Sequence, residues 1–393
     1  MRVAPLWSVV EPAGIKVSPS AIPGTPEIVE HYAIDELGVT GQPRRQVPSE
    51  IASDKFLVRI DDLLVSRLNP RKGHVFEVAA HDVPSIASTE FAVVRPLGSV
   101  DRRFIKYVLT SERTRRLLDS QVRSATKSHG RVEFDAIWSL PVPVPPLETQ
   151  RRIADYLDTE TARIDTLITK NTHAAALVEE RYAAGVESVV AGARRRHGDV
   201  ALQYATERIM TGLDFAAADL SMDELVGHVR YVRTTDISDP DTLKPEGVYA
   251  NREWIGRDSM AMEHDLLLTR AGSIGTAYRH RGTPVAFAGY LVGVRPGRAS
   301  SDWLRVFVES QNYWDQVAVG AVRSTIDNFS GGKYAAMRVP VPPADEQARL
   351  SSEVADSRQG MRRAVAALRR QQALLLERRQ ALITAAVTGE IEV

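Results

Sequence analysis

An internal repeat constrains this 393-residue chain more than any other feature. The segment DDLLVSR at residues 61–67 returns as HDLLLTR at residues 264–270, an offset of 203. Three further matches keep the same order at offsets of 200, 200 and 197: VRP at 94–96 and 294–296, VRS at 122–124 and 322–324, and PVPP at 143–146 and 340–343. Because a repeated sequence folds into a repeated structure, we expect two similar halves.

The first part of each repeat has the sequence pattern of mixed α-helical and β-strand structure. Short β-branched or apolar runs at 91–94 and 285–287 are separated by turns rich in Gly, Pro, Asn and Asp. Apolar residues at helical spacing predict one helix over 104–118 and its echo over 303–317. Each repeat therefore begins with a mixed α/β domain.

After each Pro-rich segment the sequence pattern becomes that of a long helix. Proline is absent from 147–239 and from 344–393. Apolar or small residues follow three- and four-residue steps, which indicates an amphipathic helix that needs a partner: Ile153, Leu157, Ile164, Leu167, Asn171, Ala174 and Val178, then Leu350, Val354, Met361, Ala364, Leu368, Leu375 and Leu382. Asn171 and Gln371 either fix the register of the pair or are partly exposed.

These patterns predict an α+β chain with a pseudo-twofold internal repeat. Two mixed α/β domains, 1–146 and 197–343, are separated by two long antiparallel coiled-coil helices, 147–196 and 344–393. A 40-residue helix is about 60 Å long, so we expect the helix pair to separate the two domains by a rod of about that length.

The formal net charge is zero, from 50 basic and 50 acidic residues. A neutral total argues against a dedicated nucleic-acid binder only if the charge is evenly spread. It is not, because 101–131 holds nine Lys/Arg against three Asp/Glu, and 266–338 holds nine against four. The stretch 197–265 compensates with six against fourteen. The late part of each repeat therefore carries a basic surplus that suits phosphate contact.

Loops in matching places supply the candidate DNA contacts. Segments 67–74 and 270–275 follow the repeated strand, and 123–129 and 323–328 are rich in Arg and hydroxyl groups, which serve phosphates and base edges. Either of the first two turns, taken alone, is better interpreted as a plain solvated hairpin, and it is the occurrence of both kinds of loop in both copies that favours DNA contact. The candidate residues are Arg67, Asn69, Arg71, Lys72, Arg123, Ser124, Lys127, Arg131, Arg233, Thr234, Arg270, Ser273, Arg279, Arg323, Ser324, Thr325 and Lys333.

Four motifs in order resemble one protein family. LPVPVPPLETQRRIADYLD at 140–158, with IDTLI at 164–168, is similar to the entry into the first spacer helix of the specificity (S) subunit of type I restriction-modification enzymes. LERRQALITAAVTG at 376–389 resembles the C-terminal helix of that family. YVRTTDI at 231–237 and residues 265–275 are similar to motifs of its target-recognition domains.

The resemblance implies that each mixed domain is a target-recognition domain that reads one half of a split site in double-stranded DNA. It implies helices that set the unread gap and dock two methyltransferase subunits, with motor-nuclease subunits joining the full complex. S-adenosylmethionine, ATP and Mg²⁺ would then be bound by the partner subunits and no cofactor by this chain. The first copy has Asn69-Pro70-Arg71-Lys72 where the second has Gly272-Ser273-Ile274-Gly275, so we expect different half-sites.

The sequence offers no catalytic or metal-binding pattern. The absence of cysteine excludes zinc fingers and thiol nucleophiles, and no methyltransferase motif, phosphate loop or histidine ligand spacing is present. No apolar run reaches the length of a membrane span and the N-terminus does not resemble a signal peptide, so we expect a cytoplasmic protein. The alternative function is a stand-alone DNA-binding regulator that uses its helices to dimerise.

Overall fold

A computed structural model describes residues 2–122, 130–256, 259–322 and 329–393. Contacts along the chain divide it into two compact units. The first unit comprises Met1–Asn171 and Arg370–Val393, and the second comprises Thr172–Arg369. Each unit therefore combines one mixed α/β part with segments of both long helices.

The described strands of the first unit form three sheets, ordered β1-β11, β2-β10-β7-β8 and β3-β6-β9-β4-β5. The strands are β1 (Val3–Pro5), β2 (Val10–Pro12), β3 (Ile15–Val17), β4 (Val29–Tyr32), β5 (Arg44–Gln46), β6 (Lys55–Val58), β7 (Leu63–Ser66), β8 (Val75–Glu77), β9 (Ser85–Ser88), β10 (Phe91–Pro96) and β11 (Pro141–Pro143). The short helices are α1 (Ile34–Thr40), α2 (Arg102–Thr110), α3 (Glu112–Asp119) and α4 (Phe134–Trp138).

After the long helix α5 (Leu147–His197), the second unit continues with a matching set of elements. Its described strands are β12 (Asp199–Ala201), β13 (Thr206–Thr211), β14 (Leu220–Ser221), β15 (His228–Val232), β16 (Ile237–Asp239), β17 (Thr242–Leu243), β18 (Val248–Asn251), β19 (Met260–Ala261), β20 (Leu266–Thr269), β21 (Ala277–Arg279), β22 (Val285–Phe287), β23 (Leu291–Pro296) and β24 (Arg338–Pro340). Its helices are α6 (Leu202–Ala205), α7 (Ser301–Phe307), α8 (Gln311–Val322), α9 (Gly331–Ala336) and α10 (Ala344–Thr388).

The order of the four-stranded sheet repeats with the sequence, and so does that of four strands of the five-stranded sheet, whose fifth strand pairs at opposite edges, β3 with β6 and β14 with β18. The second unit has sheets β12-β24, β13-β23-β20-β21 and β14-β18-β15-β22-β19, with a separate β16-β17 hairpin. In both units a parallel pair forms the middle of the five-stranded sheet, β4 with β9 and β15 with β22. The predicted α+β fold with an internal repeat is confirmed.

The predicted single helices over 104–118 and 303–317 are wrong in one respect, because each is two helices. Ser111 ends α2 and caps α3, accepting a hydrogen bond from Thr114 N at 3.3 Å. Ser310 does the same between α7 and α8, accepting from Tyr313 N at 3.2 Å. A serine hydroxyl satisfies the unpaired amides at a helix start, so it allows a break that apolar spacing does not reveal.

The long helices α5 and α10 run antiparallel within each unit. In the first unit Arg379 pairs with Asp165 at 3.0 Å, and in the second Arg196 pairs with Glu346 at 2.5 Å. The predicted pair of long helices is therefore confirmed. Pro146 and Pro343 immediately precede the two helices, where a missing amide costs nothing.

The predicted seam needs correction in its middle. Leu167 is 45% exposed, whereas Thr161 is buried and Ile168 half-buried. Gln371 is exposed, and it is Gln372 that donates to the Ile168 carbonyl oxygen at 3.3 Å. A straight helix has 3.6 residues per turn, so strict alternation of three- and four-residue steps drifts off the contact face.

A buried glutamine ties each long helix to its mixed α/β part. The side-chain amide of Gln150 donates to the proline carbonyl five residues before it and accepts from Asp101 N, both at 2.8 Å. Gln347 makes the same two bonds at 2.8 Å, the second with Ser300 N. Both glutamines are almost fully buried, so these bonds fix where the helix leaves the domain.

Candidate nucleic-acid interface

In the first unit the two candidate loops lie together. Asn69 N donates to the Gly130 carbonyl oxygen at 2.7 Å, and Val132 N donates to the Arg67 carbonyl oxygen at 3.1 Å. Asn69 has a positive φ of 48°, a conformation that Asn tolerates better than most residues. The turn after β7 is thus held against the end of segment 123–131, more than fifty residues away in sequence.

The second unit repeats this arrangement. Phe329 N donates to the Arg270 carbonyl oxygen at 2.8 Å, which ties the turn after β20 to the residue that follows segment 323–328. The Tyr313 hydroxyl donates to the Gly275 carbonyl oxygen at 2.9 Å. Gly275 has a φ of +88° and lies against Trp314, so a side chain would not fit there.

A buried ion pair lies at the start of the strand that leads to each loop. Arg95 holds Asp62 with two hydrogen bonds of 2.8 and 2.9 Å. Arg295 holds Asp265 with bonds of 2.9 and 3.3 Å. Both aspartates are 1% exposed or less, and bidentate pairing of this kind fixes the geometry of the strands it joins.

Some of the candidate side chains lie at the surface. Arg71, Lys72 and Ser273 are exposed, and so is Arg131, which pairs with Glu90 at 2.7 Å. Burial, followed by the charge of Lys72, lowers the pKa of His74 below its usual value. The imidazole is therefore neutral near pH 7, so the cations of this turn are those of Arg71 and Lys72.

Other candidate side chains are bonded inward. Arg67 donates to the Val132 carbonyl oxygen at 2.9 Å, and its guanidinium lies 4.0 Å from the centre of the Phe134 ring. Lys333 donates to the Gly320 carbonyl oxygen at 2.9 Å. The side chains of Arg67 and Lys333 therefore stabilise the loops through bonds to backbone carbonyl oxygens.

The remaining candidates of the second unit divide into two groups. Arg270 donates to the Gly289 carbonyl oxygen at 3.0 Å, shortly after the end of β22. Arg233 follows the end of β15, which runs parallel to β22, and it pairs with Asp236 at 2.9 Å. Arg233 and Thr234 therefore lie at the same end of the sheets as Arg270. Arg279 is 9% exposed and bonded to Asp302 at the other end of β21, so it is not brought to the loops. The half-buried Asn69 and Thr234 complete the described candidates.

Six candidates fall outside the residues that the structure describes: Arg123, Ser124, Lys127, Arg323, Ser324 and Thr325. In the described part of the chain no helix is both long and apolar enough to cross a membrane. The same residues contain no group of three His, Asp or Glu side chains placed to hold a metal ion.

Sequence reasoning missed Arg115 as part of this site. Its side chain packs on Gly73, where a Cβ would come within 2.3 Å of Arg115 Cδ, and its guanidinium donates to Gln380 Oε1 at 2.8 Å. It thus connects the candidate turn to helix α10. The cationic surplus of 101–131 was the available signal, but composition does not show which arginine packs against the turn.

The chain is similar to known proteins both in sequence, through a family model, and in fold, through solved structures. Residues 49–174 match the family model of the type I restriction modification DNA specificity domain. No match exists among curated proteins. A chain from a structure on complex assembly and conformational transition of the type I R-M system superposes with a TM-score of 0.75 at 16% identity, covering 99% of this chain and 98% of that one.

A second solved structure is similar over the same extent. The HsdS subunit from Thermoanaerobacter tengcongensis superposes with a TM-score of 0.56 at 19% identity, covering 99% of this chain and 97% of that one. At this level of identity the structures establish the fold, and the family model adds the domain. The resemblance inferred from the sequence is confirmed: residues 49–174 are similar to the type I restriction modification DNA specificity domain, and the chain has the same fold as the solved HsdS subunit.

Proposed function

We propose that this chain is the DNA-recognition subunit of a type I restriction-modification complex, with residues 1–146 and 197–343 each reading one half of a bipartite site. The observation that carries the proposal is the repeated pairing of two distant loops, 67–73 with 130–132 in one unit and 270–275 with Phe329 in the other. Two equivalent surfaces on one chain suit a site that is read as two halves.

The two halves of the site would differ in sequence. The first turn offers the exposed cations of Arg71 and Lys72, whereas the second offers Ser273, which directly follows Gly272. Cations reach phosphates and guanine edges, whereas a small hydroxyl beside bare backbone allows closer approach to the DNA.

In this proposal the helices 147–196 and 344–393 set the unread gap and dock two methyltransferase subunits, and motor-nuclease subunits join the full complex. The chain itself is non-catalytic and acts in the cytoplasm. S-adenosylmethionine, ATP and Mg²⁺ belong to the partner subunits. The neutral net charge supports this division of labour, since partner subunits would supply much of the sequence-independent affinity.

The decisive test exchanges residues 1–140 for those of another specificity subunit and maps methylated bases across the genome. We expect one half-site to change while the other half-site and the gap stay the same. A change in both half-sites, or in neither, would contradict the assignment of one half to each unit.

Purification separates this function from a stand-alone regulator. The chain should form a stable complex with two copies of a methyltransferase subunit, and that complex should bind its site tightly. Specific, tight binding by the isolated chain, with no effect of the methyltransferase subunit, would favour the regulator instead.

The exposed turn of the first unit gives a second prediction. In the assembled complex, the double substitution Arg71→Ala and Lys72→Ala should weaken DNA binding and reduce the slope of log affinity against log salt by about two, because each cation would lose a phosphate contact. The control is Lys16→Ala on β3, an exposed lysine paired with Asp54 at 3.1 Å. An unchanged slope in the double variant would show that neither cation meets a phosphate.

A further inference from the structure

A cavity of about 920 Å³ lies within the second unit, away from the candidate loops. It opens where β15, β20 and β22 begin, whereas Arg270 follows the end of β20. A four-residue strand rises about 13 Å, so the two features are at opposite ends of the sheet. The lining includes Arg230, Tyr249, Arg252, Met260, Met262 and Arg281.

The cavity is strongly cationic. Four arginines line it, and Glu224 alone is acidic among the described residues of the lining. Burial lowers the pKa of the lining His280, so that imidazole adds no charge near pH 7. Arg295 has the carboxylate of Asp265 at 2.9 Å, and Arg252 donates to the Ile255 carbonyl oxygen at 2.7 Å. The exposed guanidinium of Arg281 has no hydrogen bond or ion pair to the part of the chain that the structure describes.

The same place in the first unit is identified by the register of the parallel strands. His31 is opposite Ile86 between β4 and β9, and Tyr231 is opposite Ala286 between β15 and β22. Strand β15 is therefore related to β4, and β22 to β9, by an offset of 200 residues. This offset makes Glu30 the counterpart of Arg230.

In the first unit this place holds two carboxylates, those of Glu30 and Asp82. Arg45, the cross-strand neighbour of Glu30, pairs with Glu30 at 2.8 Å and with Asp82 at 2.5 Å. His81 lies 3.6 Å from Glu30. One guanidinium therefore bridges two carboxylates here, and the cluster leaves no free cation.

In the second unit each of these carboxylates is gone. Arg230 stands in place of Glu30, and its cross-strand neighbour is Tyr249. At the offset of 200, Arg281 replaces His81 and Gly282 replaces Asp82. The repeat thus exchanges an ion-pair cluster for an open cationic cavity with an aromatic wall.

We propose that this cavity binds a small organic phosphate that carries a planar ring. Guanidinium groups recognise phosphate through charge-assisted hydrogen bonds, and here Arg281 and Arg252 present them. Tyr249, Met260 and Met262 supply a surface for the ring. The volume lies within the range of small-molecule sites and far exceeds that of a single inorganic anion.

The test is calorimetric titration of the full chain with AMP, adenosine and inorganic phosphate. AMP should bind one site per chain, adenosine at least about tenfold more weakly because it lacks the phosphate, and inorganic phosphate should compete with AMP. Arg281→Glu should weaken AMP binding at least about tenfold without lowering the melting temperature, since this side chain is exposed.

Two further variants separate the site from general electrostatics. Arg363→Ala, at an exposed arginine of α10 outside the cavity, should leave AMP affinity unchanged. Tyr249→Val should weaken AMP but not inorganic phosphate, because it removes the ring surface and keeps a strand-forming residue. An equal loss in Arg363→Ala, or no saturable AMP binding, overturns the proposal.

A duplex oligonucleotide, tested on the complex with methyltransferase subunits that is expected to bind it tightly, distinguishes a free phosphate from the DNA backbone. We expect the duplex to leave AMP binding intact and Arg281→Glu to leave duplex affinity intact. Displacement of AMP by the duplex, with the same loss of duplex affinity in Arg281→Glu, would make the cavity part of the DNA surface and the proposal wrong.

Discussion

Deleting residues 172–175 from α5 and 366–369 from α10 should leave both methylated half-sites unchanged and shorten the gap between them. Four residues of helix span about 6 Å. Base pairs are stacked about 3.4 Å apart, so the gap should shrink by about one to two base pairs. Both deletions fall within the second unit, where the helical segments run antiparallel. Mapping of methylated bases in cells that carry the deletion gives half-sites and gap together.

A matched control keeps the length and changes the sequence. Replacing Thr172 and His173 by alanine, beside the native Ala174 and Ala175, preserves the helix, since alanine is the best helix former, and should leave the gap as it was. Deletion from α5 alone would mismatch the antiparallel segments and should impair assembly. If the paired deletion altered a half-site, or if the alanine variant changed the gap, the helices would not act as the spacer.

The long helices were predictable because their signals are local. Proline is missing over both stretches, and apolar residues recur at helical spacing for many turns. The seam was correct at Ile153, Leu157 and Ile164, which are buried, and wrong at Leu167. Small errors of phase accumulate along a helix, so the pattern is most reliable near its start.

The candidate site was predictable as a region but not residue by residue. Arg67 and Arg71 are four positions apart in one loop, yet Arg67 is bonded to Val132 and Arg71 is exposed. Which arginine turns inward depends on a segment more than sixty residues away. Non-local partners of this kind leave no periodic signal, whereas the repeat itself revealed that the two turns are equivalent.

Removing the Asp62 carboxylate should lower the free energy of unfolding by about 3 kcal/mol, because it leaves the Arg95 guanidinium without a partner. The value is at the lower end for a broken buried pair, since 28% of the Arg95 side chain is exposed. Asp62 also accepts from Arg59 N at 2.9 Å, and Asp62→Ala loses that bond too. Chemical denaturation of the full chain followed by tryptophan fluorescence measures the change.

The matched control is Asp82→Ala, which breaks the pair with Arg45 at a side chain that is 71% exposed. An exposed pair contributes at most about 1 kcal/mol, so this variant should be nearly neutral. Equal effects of the two substitutions would mean that the buried pair does not hold the strand that leads to the candidate turn.

Adding Arg95→Met to Asp62→Ala separates the two sources of the loss. If the unpaired cation dominates, the double variant should recover roughly half of the stability, because no charge remains without a partner. If the lost attraction and the backbone bond dominate, the double variant should be no more stable than Asp62→Ala. We expect recovery, since Arg95 lies on β10 beside β7 and its head group has no described carboxylate other than Asp62 within ion-pair distance.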